Sequence, residues 1–354
     1  MKLFTVGPVE MYPESLIIEG SQPPYFRTKE FSALMLDIER WFLKSIYAPE
    51  KTSFIGLTCS GTGAMESAVA NVLTEKDRAL VIDGGSFGSR FVQICERFRV
   101  PTEAYHLSYN DAFNKERFLE YEGKGYTALL VNACETSTGQ KYDLDFLGEF
   151  CKRNNMLFIV DAVSAYLADE IDMSRQGIDV LLTASQKALA LAPGVALVAV
   201  SDRVYQQRIK ESRSDLYYFD YSAYIENQKR GQPPFTSAVS TMLALHQRLE
   251  DIDRRGVSAE RERHAKRAEL FRGLVRDLPV ELPQYALSNS CTPIRFPKNN
   301  AGSVFEYLKS RYELILTPSG GDLKDMQLRV GHLGNLCADD YYLLASKLQE
   351  VLML

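Results

Sequence analysis

The stretch LFIVDAVSAYLADEIDMSRQGIDVLLTASQKALALAPGVALVAVS, residues 157–201, decides the fold. It contains three short apolar runs, at 157–162, 179–185 and 194–201. Each run is apolar throughout and does not alternate with polar residues, which is typical of strands that are covered on both faces. The stretch therefore predicts neighbouring buried strands of one sheet.

The same pattern extends toward the N-terminus. The runs ALVID (79–83) and TALLVNA (127–133) have the character of further buried strands, and LDFLGEFCKRNN (144–155) suits a helix. Short apolar strands that alternate with helical segments indicate βαβ units. We therefore predict an α/β fold over residues 56–201, with a mostly parallel sheet and flanking helices.

The second half of the chain has a different character. A helical pattern runs from about residue 237 to 278 and is expected to break near Gly256. Short apolar runs at 291–296, 314–318 and 326–332 follow, with helical segments at 302–311 and 338–353. This mixture predicts a smaller α+β domain. The predicted division is an N-terminal segment packed on the active site (1–20), a large domain (21–250) and a small C-terminal domain (251–354).

The composition is that of an ordinary globular protein, and it argues against a disordered, collagen-like or coiled-coil chain. The 354 residues are 45% hydrophobic and 25% charged, and this length suits two domains of about 150 residues or more. Lys and Arg number 41 against 46 Asp and Glu, so the formal net charge is −5. This balance gives no sign of a nucleic-acid partner, although a local basic patch stays open.

Several other classes of site and location are disfavoured by the sequence. Uninterrupted apolar segments of about 18 residues are missing, so we expect no transmembrane helix. Pro8, Glu10 and Pro13 interrupt the N-terminal region, which argues against a signal peptide. The six cysteines have no C-x-x-C spacing and the four histidines are scattered, so no metal site is predicted. We expect buried free thiols in a cytoplasmic protein.

A glycine-rich turn, SGTGAME (60–66), leads into an amphipathic run. Such a turn presents free backbone N–H groups and the positive end of a helix dipole to an anion, and Ser60 and Thr62 add hydroxyl donors. The functional interpretation is a phosphate cradle. The alternative is a plain turn in which Thr62 is the N-cap of the helix.

Two ionisable residues follow apolar strands. Asp161 ends the run LFIVD, at the edge where open α/β sheets bind ligands. A buried carboxylate needs a partner such as a pyridinium N–H, unless Asp161 only caps the next helix. Lys187 lies between apolar flanks in SQKAL. It is either a desolvated nucleophile that binds a carbonyl group covalently or a lysine that snorkels outward.

An arginine and a cluster of hydroxyl residues are two further candidates for contacts with a ligand. Arg329, in LRVGHLGN, is suited to bidentate capture of a carboxylate, and the alternative is a surface arginine on an edge strand. The cluster ETSTG (135–139) directly follows an apolar strand. Its hydroxyls either contact a ring oxygen of a ligand or belong to a polar turn.

The ordered set of motifs resembles the class V family of pyridoxal-phosphate (PLP) transaminases, and within it the alanine–glyoxylate and serine–pyruvate transaminases. The resemblance covers the chain from about Phe4 to Leu348. Its motifs are SGTGAME, GSFGSR (85–90), ETSTG, VDAVSA, MSRQGIDV, SQKAL and LAPG, followed by FTSAVSTMLALHQRL (235–249), ERERHAKR (260–267) and LRVGHLGN.

The resemblance implies PLP fold type I and a role for particular residues toward the cofactor. Lys187 would hold PLP covalently, Asp161 would pair with its ring nitrogen, and Phe87 would stack on the ring. Thr136 matches the position that contacts the ring hydroxyl. The residues expected to hold the phosphate are Ser60, Gly61, Thr62 and Gln186, with Thr236 from the partner subunit.

The resemblance also implies a reaction and an assembly. Arg329 would bind the α-carboxylate of the substrate, and Gly7 would line the substrate pocket. We therefore expect a transaminase that moves an amino group from a small amino acid to a 2-oxo acid such as pyruvate or glyoxylate. A homodimer with active sites at the interface is implied, with no membrane or nucleic-acid partner.

Departures from the family pattern leave the substrate open. Pro233 stands where alanine–glyoxylate enzymes have a phosphate-binding tyrosine, and PFTS (234–237) is closer to 2-aminoethylphosphonate–pyruvate transaminases. The segment YFRTKEF (25–31) is closer to the alanine–glyoxylate transaminases, although it has Phe26 where a histidine is common. The alternatives are therefore a 2-aminoethylphosphonate–pyruvate transaminase, or another PLP reaction such as that of a lyase or decarboxylase. Cysteine desulfurases usually have histidine before the lysine, where this chain has Gln186.

Overall fold

A computed structural model describes residues 1–210 and 215–353. In chain order its strands are β1 (Lys2–Leu3), β2 (Ser53–Leu57), β3 (Ala79–Asp83), β4 (Thr102–His106), β5 (Ala128–Asn132), β6 (Cys134–Glu135), β7 (Gln140–Lys141), β8 (Leu157–Asp161), β9 (Val180–Ala184), β10 (Ala196–Val200), β11 (Cys291–Arg295), β12 (Leu314–Ile315), β13 (Thr317–Pro318) and β14 (Gln327–Gly331).

The helices lie mainly between these strands. In chain order they are α1 (Pro13–Glu19), α2 (Lys29–Ser45), α3 (Gly61–Val72), α4 (Ser86–Arg97), α5 (Lys115–Leu119), α6 (Leu144–Arg153), α7 (Asp202–Val204) with a π-helical turn (Tyr205–Ile209), α8 (Tyr221–Gln228), α9 (Val239–Arg255), α10 (Val257–Leu274), α11 (Ala301–Tyr312), a 3-10 turn (Gly321–Leu323) and α12 (Ala338–Leu352). Among the described residues, none of these helices combines the length and apolar character needed to cross a membrane.

The large sheet has seven strands in the order β2-β10-β9-β8-β5-β3-β4. All neighbours from β9 to β4 are parallel, whereas β10 is antiparallel to both β9 and β2. The predicted α/β fold with a mostly parallel sheet is therefore confirmed. The sheet also contains β2 and β4, which the apolar pattern did not identify.

Helices cover both faces of this sheet, and strand β8 shows why its sequence is uniformly apolar. Phe158 and Val160 join one core cluster, which also contains side chains of α2, α6 and α9. Leu157 and Ile159 join the opposite cluster, with side chains of α3 and α4. Because successive side chains of a strand point to opposite faces, a strand between two helical layers needs apolar residues at every position.

The C-terminal part forms a three-stranded antiparallel sheet in the order β11-β14-β13. Its core contains side chains from α10, α11 and α12, including Phe271, Val304 and Leu344. The predicted break in the long helical region is present, since α9 ends and α10 begins around Gly256, whose φ is +89°. The N-terminal strand β1 pairs in parallel with β12. The division into domains at 20/21 and 250/251 stays a prediction.

Candidate active site

The carboxyl ends of the parallel strands meet at one edge of the large sheet, where open α/β sheets bind ligands. A cavity of about 200 Å³ lies at this edge. Nine of the eleven residues predicted for the site line it: Gly7, Ser60, Gly61, Thr62, Phe87, Thr136, Asp161, Gln186 and Lys187. The fold therefore brings together residues that are distant in the sequence.

Asp161, the last residue of β8, forms one wall of the cavity. Its neighbour across the sheet is Asn132, the last residue of β5, whose Nδ2 donates to Asp161 Oδ2 at 2.5 Å. The backbone N–H of Val163 donates to Oδ1 at 2.8 Å. Burial raises the pKa of Asp161 to about 6, although these two donors oppose the shift. A cation that reached this carboxylate would stabilise its charged form.

Lys187 lies three residues beyond the end of β9 and is only 7% exposed. It does not snorkel into solvent: its Nζ donates to the backbone carbonyl of Val6 at 2.5 Å. Burial lowers the pKa of Lys187 to about 8, and the nearby Arg329 guanidinium acts in the same direction. A lysine with a lowered pKa has a larger neutral fraction near pH 7 and is a better nucleophile.

The N-terminal segment lies directly against this lysine. Gly7 has a φ of +137°, and a Cβ at this position would lie 2.5 Å from Lys187 Cδ and 2.7 Å from Cε. The segment is fixed by β1 and by a hydrogen bond from Val6 N–H to Thr317 Oγ1 at 2.9 Å. Only glycine fits here without displacing the lysine, because both the space and the backbone conformation exclude a larger side chain.

The first turn of α3 also lines the cavity. Ser60 is the N-cap, and its Oγ accepts a hydrogen bond from Gly63 N–H at 3.2 Å, so the alternative in which Thr62 is the cap is wrong. The Thr62 hydroxyl instead lines the cavity and accepts from Arg90 Nη1 at 3.0 Å. Gln186 Oε1 is buried without a hydrogen-bond partner among the described residues. These residues therefore offer hydroxyl and amide groups and one guanidinium to the cavity.

Phe87 lies in the first turn of α4, which is held by a buried carboxylate. Glu135 Oε2 accepts from the backbone N–H groups of Phe87 at 3.1 Å and Gly88 at 2.9 Å. Its Oε1 accepts from the N–H and hydroxyl of Ser137 at 3.0 and 2.6 Å. Burial raises the pKa of Glu135. In the sequence, Glu135 stands out only as part of a polar cluster, and no local signal indicates that it positions Phe87.

Thr136 lines this cavity, whereas Arg329 lines a second one of about 510 Å³. The Thr136 hydroxyl lies 2.6 Å from that of Ser164. The Nη1 and Nη2 of Arg329 donate to the carbonyls of Thr136 at 3.1 Å and Pro318 at 2.8 Å. It lies on β14, the central strand of its sheet, so the edge-strand alternative is wrong. Its Nε is buried without a partner in the described part of the chain.

Thr236 is the predicted site residue that lies apart. It is exposed and does not line the cavity of its own chain, and its expected contact with the partner subunit's phosphate stays a prediction. Arg90, Cys134 and Ser164 line the cavity although the sequence analysis gave them no role. Within residues 1–210 and 215–353, no cluster of three or more His, Cys, Asp or Glu residues is arranged to hold a metal ion.

Comparison with known proteins assigns the chain to a family. The family described as Aminotransferase class-V matches residues 26–317. An uncharacterized aminotransferase of Methanocaldococcus jannaschii is 30% identical over 95% of this chain and 88% of its own length. The soluble hydrogenase 42 kDa subunit of Anabaena cylindrica is 28% identical, covering 100% and 93%. The alanine–glyoxylate aminotransferase of Felis catus is 25% identical, covering 98% and 86%.

A solved structure agrees with this assignment over the whole chain. The aspartate aminotransferase of subgroup IV from Thermus thermophilus superimposes with a TM-score of 0.92 and 26% identity, covering 100% of this chain and 99% of its own. The family match, the two aminotransferase relatives and this fold agree with one another. The chain therefore belongs to the class V aminotransferases, which are PLP-dependent enzymes of fold type I.

Proposed function

We propose that the protein is a transaminase that moves an amino group from a small α-amino acid to a 2-oxo acid such as pyruvate or glyoxylate. The observation that carries the proposal is that buried Asp161 and buried Lys187 line one cavity with the first turn of α3. The relative from Felis catus is named for transfer between alanine and glyoxylate, which supports this substrate class.

The cavity residues fit PLP in the kinds of group that they offer. Asp161 offers an acceptor for a ring N–H, and Lys187 offers an amine for a carbonyl group. The first-turn N–H groups of α3, the Thr62 hydroxyl and the unpartnered Gln186 amide suit a phosphate. Ser60, Gly61, Thr62 and Gln186 would hold that phosphate, and Phe87 would cover the ring.

Each residue of this chain then has a defined task. When bound, PLP supplies the electron sink for the bond that breaks at the substrate α-carbon. Lys187 Nζ would take the proton from the substrate α-carbon as a general base and, once protonated, would donate it as a general acid. Asp161 keeps the ring nitrogen protonated by its charge, Thr136 contacts the ring hydroxyl, and Arg329 binds the α-carboxylate.

The assembly and location also belong to this proposal. Thr236 would reach the phosphate of the partner subunit, which requires a homodimer with the active sites at its interface. A cytoplasmic location is supported by the six cysteines, which are all unpaired in the structure and therefore suit a reducing compartment. Gly7 would line the pocket that receives the substrate.

One panel assay tests the reaction. The PLP-loaded protein is mixed with alanine, serine, aspartate or 2-aminoethylphosphonate and with pyruvate or glyoxylate, and the oxo products are identified by mass spectrometry. We expect an α-amino acid to be the donor, and no turnover by Lys187→Ala. Turnover of 2-aminoethylphosphonate alone would replace the proposed substrate class. Release of carbon dioxide or ammonia without amino transfer would refute the transaminase and indicate another PLP reaction.

A further inference from the structure

Arg90 places a guanidinium in the cavity, and within the described residues it has no acidic partner. Its Nη1 donates to Thr62 Oγ1 at 3.0 Å, and its Cζ lies 4.7 Å from the centroid of the Phe87 ring. None of the ion pairs within 4.0 Å that the described residues form includes Arg90. By contrast, the buried Arg248 and the half-buried Arg208 each face a carboxylate at 2.9 Å.

This arrangement leaves a positive charge at a place that already suits an anion. Arg90 has five N–H donors, and the Thr62 hydroxyl accepts only one of them. The first-turn N–H groups of Gly61 and Thr62 have no acceptor within their own helix, and the helix dipole adds positive potential there. The guanidinium and the helix terminus therefore converge around Thr62.

We propose that Arg90 is a ligand of the cofactor phosphate, bound through the fork of its guanidinium next to Thr62. A guanidinium matches the geometry of two phosphate oxygens and carries a permanent charge. Lys187 is the other cationic residue among those that line the cavity, and its amine is committed to the carbonyl end. The inference rests on PLP as the cofactor and does not depend on which amino donor is used.

The test compares ligands with and without the phosphate. Cofactor-free wild type, Arg90→Gln and Arg90→Lys are titrated with PLP and with pyridoxal, and binding is followed by absorbance. We expect Arg90→Gln to weaken PLP binding by about 10- to 100-fold, the usual range for losing a charged hydrogen bond. Pyridoxal binding should change by less than about threefold, and Arg90→Lys should give an intermediate loss because it keeps the charge without the fork.

A matched control is available on the same molecule. Arg117 also lies over an aromatic ring, 5.0 Å from the centroid of Tyr105, but outside the cavity. Arg117→Gln should leave both affinities unchanged. Circular dichroism and thermal unfolding of each cofactor-free variant establish that it is folded. In a separate competition experiment, inorganic phosphate should slow PLP binding more in wild type than in Arg90→Gln.

Two results would overturn the proposal. If Arg90→Gln weakens PLP and pyridoxal equally, the side chain only supports the Phe87 ring. If PLP affinity is unchanged and only the KM of a donor with a second acidic group rises, Arg90 binds substrate. The PLP and pyridoxal titrations need no turnover, so a failure of the proposed transamination would be seen separately.

Discussion

The Asp161 carboxyl gives the cofactor-free protein a pH-dependent stability that follows from its surroundings. Burial raises its pKa from 3.8 to about 6, so the folded state binds this proton more tightly than the unfolded chain does. The contribution of Asp161 to the free energy of unfolding therefore falls as the pH rises from about 4 to about 6. One pKa unit corresponds to about 1.4 kcal/mol, and the full effect is about 3 kcal/mol.

The substitution Asp161→Asn isolates this contribution. The comparison is needed because burial also raises the pKa of Asp169 and Glu135, which add to the same slope. The structure accommodates the new amide: Asn132 Oδ1 is buried without a partner among the described residues, and a flip of Asn132 lets it accept the added N–H. The variant therefore removes the titration with little change of shape.

Urea unfolding of the cofactor-free proteins measures the effect at several pH values between about 4.5 and 7.5. The free energy of unfolding of the wild type should fall relative to Asp161→Asn by about 2 kcal/mol across this range. The sign is specific, since an ordinary paired carboxylate would make the wild type relatively more stable as the pH rises. Parallel pH profiles for the two proteins would refute the burial argument.

Three other substitutions test the positioning of the site. Gly7→Ala should lower the free energy of unfolding by about 1–3 kcal/mol and impair covalent PLP binding, because its Cβ would lie 2.5 Å from Lys187 Cδ. Urea unfolding and absorbance measure the two effects, and normal values of both would contradict this prediction. Glu135→Gln cannot accept all four hydrogen bonds that Phe87, Gly88 and Ser137 donate, since an amide nitrogen only donates, and it should lower the free energy of unfolding by about 2–4 kcal/mol. A loss below about 0.5 kcal/mol would show that the carboxylate is dispensable. Arg329→Lys should raise the KM of both donor and acceptor by about tenfold with PLP binding unchanged; if neither KM rises, Arg329 is structural.

The sequence predicts those strands that are buried on both faces, because burial leaves a continuous apolar run. The run at 79–83 coincides with β3, and that at 157–162 contains all of β8. The two strands that the apolar pattern does not identify, β2 and β4, lie at the edges of the sheet. Strand β4, at one edge, has only Tyr105 buried, and its sequence TEAYH therefore lacks the apolar signal. Strand β2 is mostly buried and as long as β3, but it is antiparallel to its neighbour and stands outside the βαβ alternation.

The site is predictable where a polar residue interrupts or follows a buried strand. Asp161 and Lys187 were identified in this way, because charge in an apolar setting requires an explanation. Arg90 carries no such local signal, and Glu135, although it follows an apolar strand, carries none that points to α4. Arg90 reaches Thr62 only because α3 and α4 pack side by side, and Glu135 reaches the first turn of α4 only because β5 lies next to β3. Contacts of this kind depend on strand order, which the local pattern does not contain.

The electrostatics of the cavity explain why a charged cofactor suits it. The pKa of Asp161 is raised and that of Lys187 is lowered, so burial disfavours the charged form of both residues. Within residues 1–210 and 215–353, Arg90 forms no ion pair with a carboxylate. A ligand with a ring cation for Asp161, a carbonyl group for Lys187 and a phosphate for Arg90 relieves all three conditions at once. A neutral aldehyde would offer a partner only to Lys187. We therefore expect it to bind more weakly than the charged cofactor, because it leaves Asp161 and Arg90 without charged partners, in addition to any difference in shape.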